Sequence, residues 1–226
     1  MVSKTKRMIS IVSITAICCI IMAVVDGIIQ PDYAVKSAIK IILFLAMPFI
    51  YSLFDREVDI KSLFVANKKG IKTAFMLCIP VFAVILAAYF CLKDVFDFSA
   101  ITKSLTGNIG VNGGNFVFVA TYIAFVNSLL EEFFFRGFAF LTLKKVTSLK
   151  FAYVFSAAAF AIYHIAIMTG WFSIWAFVLV MIGLFAGGLI FNYLNCKSNN
   201  IYTSWLVHMF ANFAINIIGF ILFGII

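Results

Sequence analysis

Charge is scarce in this chain: only 12% of its 226 residues are Asp, Glu, Lys or Arg, and histidine occurs twice. A soluble domain of this length needs far more polar side chain to coat its surface, so that class is excluded. The few charges are unbalanced, 17 basic against 9 acidic. No basic stretch is interleaved with exposed aromatics, and no nucleic-acid partner is expected. Proline occurs three times, Pro31 in a connection and Pro48 and Pro80 inside apolar runs. The five cysteines form no CxxC pair and no metal-like spacing with histidine, so they read as small hydrophobes. HExxH, a GxSG-type serine site and a GxGD aspartyl motif are all missing.

What fills the chain is apolar, 65% of residues. Runs of about 20 such residues recur, the length that crosses a hydrocarbon core. Seven spans are expected, at 8–29, 35–54, 71–92, 116–141, 151–169, 172–194 and 201–225, giving an all-α polytopic bundle. An eight-span alternative would break the last run near Asn216. Lys4, Lys6 and Arg7 before the first run imitate a signal peptide, but no convincing A-x-A site precedes Asp26, so that run reads as a retained span. The stretch 93–115, with GNIGVNGG at 107–114, reads as the longest connection and a flexible loop. It separates N-terminal helices (1–115) from a C-terminal core (116–226). With alternating spans, one face collects Lys4, Lys6, Arg7, Arg56, Lys61, Lys68, Lys69, Lys72, Lys144, Lys145, Lys150 and Lys197, which is twelve; the other collects Lys36, Lys40, Lys93 and Lys103, which is four. Cytoplasmic loops carry the excess of Lys and Arg, so the N-terminus is expected in the cytoplasm.

Seven of the nine acidic residues fall in connections, leaving Glu131 and Glu132 within a span, as are both histidines, His164 and His208. An ionisable side chain at the bilayer centre costs about 2.5–3.5 kcal/mol on insertion scales, so such residues are functional candidates, with helix-to-helix glue as the competing account. Glu132 and Arg136 are four apart, acid first, the favourable order for an ion pair on one helical face. Glu131 points about 100° away with no local partner, which makes it the candidate base. Merely holding Arg136 would not require two adjacent carboxylates. His208 and Asn212 are again four apart, and a lone His164 is by itself more often a core residue than a catalyst. Counted from the basic face, Glu131, His164, His208 and Asn212 all lie about 15–23 Å deep, so they can meet.

The order Glu-Glu-x-x-x-Arg (131–136), Phe-x-x-x-His (160–164), a glycine-rich helix (Gly183, Gly187, Gly188) and His-x-x-x-Asn (208–212) resembles the CPBP intramembrane proteases, the type II CAAX prenyl endopeptidases with their bacteriocin-processing and immunity (Abi) relatives. The resemblance implies an intramembrane endopeptidase in which Glu131 activates water with His164, while His208 and Asn212 polarise the scissile carbonyl. Glu132 and Arg136 match supporting positions. Some members are regarded as metalloproteases; Glu131, His164 and His208 would be the zinc set, and a metal-free route stays open beside it. The implied partners are the bilayer and a hydrophobic, prenylated or bacteriocin-like peptide. The first three spans carry no matching motif, and the glycine run reads as close helix packing.

Abundant Ile, Phe, Lys and Asn suggest a bacterial plasma membrane, which favours peptide processing or self-immunity. Two rivals stand beside the peptidase: a non-catalytic protein of the same fold acting in bacteriocin immunity or partner binding, and a small transporter or proton relay. Matched half-repeats, the usual sign of a transporter, are not evident.

Overall fold

The computed structural model describes residues 2–226. Its seven long apolar helices are α1 (Lys4–Ile29), α2 (Tyr33–Phe54), α3 (Lys68–Leu92), α5 (Phe116–Lys145), α6 (Leu149–Met168), α7 (Ile174–Ser198) and α8 (Tyr202–Leu222), with a short α4 (Ser99–Ile109) between α3 and α5. The expected bundle is therefore the observed one, and the chain is an integral multi-pass membrane protein. The last helix runs unbroken through Asn216, where Nδ2 donates to the Ala120 carbonyl, 2.9 Å away. Seven spans, not eight, result among the described residues.

The stretch 93–115 is not simply a flexible loop. Asp97 accepts a hydrogen bond from the Ser99 amide at 2.8 Å, α4 follows, and Gly110 ends it at φ 70°. A left-handed turn of this kind favours glycine. Trp171, between α6 and α7, donates from Nε1 to Ser104 Oγ at 3.1 Å and ties α4 across the bundle.

Helix α5 is the axis, touching α1, α2, α6, α7 and α8. Its most apolar window is 44% buried, against 11% for α3 and α7, which face outward. The residues responsible are Phe133, Phe134, Phe135, Phe138 and Phe140, all buried. A helix apolar on every side belongs in the middle of a bundle. Phe44 of α2 stacks on Phe134 with ring centroids 4.1 Å apart. Much of α5 is π-helical, at Ile123–Asn127 and Glu132–Thr142. Widened turns of this type leave carbonyls open to side chains and recur at functional sites. Asn212 and Trp205 of α8 donate to the Ile123 and Phe125 carbonyls at 3.2 and 3.3 Å, and Ser156 of α6 donates to Phe135 at 2.8 Å.

Of the three motif glycines, Gly188 alone fits close packing. A Cβ there would lie 3.0 Å from Cα of Ala157, whereas nothing stands within 4 Å of a Cβ at Gly183 or Gly187. Helices α1 and α2 form a hairpin closed by an ion pair at each end: Arg7 Nε to Asp55 Oδ2, and Lys36 Nζ to Asp26 Oδ1, both 2.5 Å. Asp26, expected in a connection, is buried in the last turn of α1.

Candidate active site

The two adjacent glutamates enter different environments. Glu132 is fully buried and faces Arg136 at 3.3 Å. It also accepts from His208 Nδ1 at 2.9 Å and from the Ser204 hydroxyl. Arg136, equally buried, has no hydrogen-bond partner among the described residues. It is held by that charge and by stacking 3.9 Å above the Phe160 ring. Glu132 is thus more than a counter-ion for arginine. A carboxylate on Nδ1 fixes the imidazole ring and decides where Nε2 points.

That direction is toward Glu131, with His208 Nε2 3.7 Å from Oε2. The other oxygen, Oε1, accepts from Lys40 Nζ at 2.5 Å and from Asn127 Nδ2 at 3.1 Å. Lys40 also donates to Asn127 Oδ1 at 2.5 Å. The expectation that Glu131 has no local partner is therefore corrected, and so is the placement of Lys40 among connection charges. Lys40 is a buried residue of α2, and with Glu131 it forms a neutral pair where either charge alone would be costly. The signal was available: Lys36 and Lys40 lie four apart inside the expected span 35–54, on one helical face.

His164 lies one helix away on α6, and its Nδ1 stands 2.7 Å from the Phe160 carbonyl. A carbonyl only accepts, so Nδ1 carries the proton, and the neutral ring keeps its Nε2 lone pair. Asn212 is buried, its amide nitrogen given to Ile123.

Glu131, His164, His208 and Asn212 all line one cavity of about 620 Å³. Lys40 and Asn127 line it too, as do Asp26, Tyr33, Lys36, Asn108 and Trp171. The expected residues of α5, α6 and α8 thus come together; Lys40 and Asn127 are the additions. For zinc, the fit is poor as the side chains stand. Among the described residues no three His, Cys, Asp or Glu gather closely enough to hold an ion, and an ammonium group occupies Glu131 Oε1.

A buried carboxylate and two imidazoles thus line one cavity of a polytopic membrane protein. Residues 113–214 match the family described as type II CAAX prenyl endopeptidase Rce1-like, a family of proteases. The resemblance drawn from the motifs stands, over nearly the residues that carry them. No curated protein and no solved structure matches the chain.

Proposed function

We propose that the protein is an intramembrane endopeptidase that hydrolyses peptide bonds of membrane-associated peptides with water activated by Glu131. The observation that carries this reading is the meeting of Glu131, His164 and His208, from three helices, on a single cavity inside the bundle. Lys40 and Asn127 engage Oε1, leaving Oε2 as the atom for water. Glu131 takes one proton as the water oxygen bonds to the scissile carbonyl carbon, and the carbonyl π pair moves onto its oxygen. The His164 Nε2 lone pair orients the same water. His208, anchored by Glu132, donates to the oxyanion from Nε2, and the second N–H of the Asn212 amide adds to it. When the C–N bond breaks, its electrons go to nitrogen, and Glu131 returns the proton to the leaving amine. General-base catalysis suits a buried carboxylate that faces a cavity able to hold water.

The test is a library of quenched apolar peptides, lipid-modified and unmodified, offered to the protein in lipid bilayers. Wild type should cleave at least one sequence, and Glu131→Gln should lower turnover by about 10²–10⁴-fold, the usual contribution of a general base. Equal turnover by the two proteins overturns the assignment. The absence of cleavage by wild type would favour the immunity or partner-binding alternative.

A further inference from the structure

The residues that line the cavity reach only one end of the helix bundle. From Glu131 and His208 its wall runs along Asn127 and Ile123 of α5 toward that helix's first turn, and past Asp26, Gln30, Tyr33 and Lys36 at the α1–α2 connection. It ends among Ser104, Leu105 and Asn108 of α4 and Thr169 and Trp171 between α6 and α7. All of these connections lie on the face opposite the N-terminus. The connections on the N-terminal face (55–67, 146–148 and 199–201) contribute no residue to it.

The charges say which face is which. Four of the basic residues were first counted on the mouth face, but two of those are not loop charges: Lys36 is spent on Asp26 and Lys40 on Glu131. That leaves Lys93 and Lys103, set among Asp32, Asp94 and Asp97. On the opposite face Arg7 is paired with Asp55. Lys4, Lys6, Arg56, Lys61, Lys68, Lys69, Lys72, Lys144, Lys145, Lys150 and Lys197 remain there, every one close to a helix end. Orientation follows the Lys and Arg bias of short loops, and acidic residues count for little in it. The basic face is therefore cytoplasmic, and the mouth faces away from the cytoplasm.

We infer that the substrate of this site is a peptide presented from the extracytoplasmic side, a translocated or outer-leaflet segment rather than the C-terminal tail of a cytosolic protein. This deepens the peptidase reading and rests on it. A peptide entering there passes under α4, which Trp171 ties down, and meets the Asp26–Lys36 pair before reaching Glu131. Toward the basic face the bundle is packed by the buried Phe133, Phe134, Phe138 and Phe140, and no residue of that face's connections lines the cavity.

The test uses the full chain in a bacterial host, with Cys91 and Cys196 replaced by serine and one new cysteine at Asn108→Cys or Lys150→Cys. A membrane-impermeant maleimide added to intact cells should label the Asn108→Cys protein and spare Lys150→Cys; the reverse pattern overturns the inference. Peptides of the library, coupled to a carrier too polar to cross the bilayer, are then added to spheroplasts and to inverted vesicles. Cleavage in spheroplasts alone, lost in Glu131→Gln, is the expected result. Cleavage confined to inverted vesicles overturns the inference and leaves the peptidase reading intact. Outward labelling with no cleavage in either preparation removes the peptidase reading instead, and the proposed substrate with it.

Discussion

The two parts of the chain contribute to the site in different currencies. The C-terminal part, 116–226, supplies groups with reactive chemistry, Glu131, His164 and His208, on helices whose motifs match a protease family. The N-terminal hairpin has no motif, yet it supplies Lys40, the cation that makes a buried Glu131 tolerable. The lesson is that the proposed catalytic groups and their counter-charges need not travel together in sequence. A family pattern records the first and passes over the second.

The largest effect should come from removing that counter-charge. Lys40→Met leaves Glu131 as an uncompensated buried acid, and breaking such a pair costs about 3–5 kcal/mol. Unfolding followed by circular dichroism in detergent should show the loss. Combining Lys40→Met with Glu131→Gln should recover most of it, since the two positions share one interaction. Additive losses would reduce the hairpin to scaffold and erase the contrast drawn here.

A smaller effect, within the C-terminal part, separates packing from chemistry. Gly188→Val presses against the α6 backbone at Ala157 and should cost about 1–3 kcal/mol, as overpacking does. Gly187→Ala, with open space around it, should be neutral or slightly stabilising. If thermal melts of the two variants coincide, α7 is not docked as described.

The smallest belongs to the end of the hairpin that carries Arg7 and Asp55. Hydrogen bonds from Arg7, aided by its charge, hold the Asp55 carboxyl below the usual carboxylate range. A carboxylate with a lowered value in the folded state contributes stability above the ordinary range and loses it as pH falls through the lowered value. Arg7→Met should therefore lower the melting temperature near neutral pH by about 2–4 °C, corresponding to about 1 kcal/mol. The gap from wild type should close under strong acid, and a gap independent of pH would show that the pair contributes nothing through charge.

The helices were legible because lipid enforces a simple rule: about 20 apolar residues, then a break. The same cost made Glu131, Glu132, His164 and His208 stand out. Lys40 did not stand out, because a lysine near the end of an apolar run resembles a loop charge, and only its distant partner on α5 reveals otherwise. Helix α4 was hidden by glycines that read as flexibility, although one of them terminates the helix. The division of labour between Glu131 and Glu132 was half visible: spacing found the arginine pair, while the bond from His208 to Glu132 depends on how α8 lies against α5.

The π-helical turns of α5 carry a further consequence for how this protein tolerates change. Each such turn holds one residue more than an α-turn needs, and losing one residue rotates everything beyond it by about 100°. A single-codon deletion between Ile123 and Asn127 would leave every other side chain chemically intact, yet it would swing the carboxylate of Glu131 out of line with the partners waiting on the neighbouring helices.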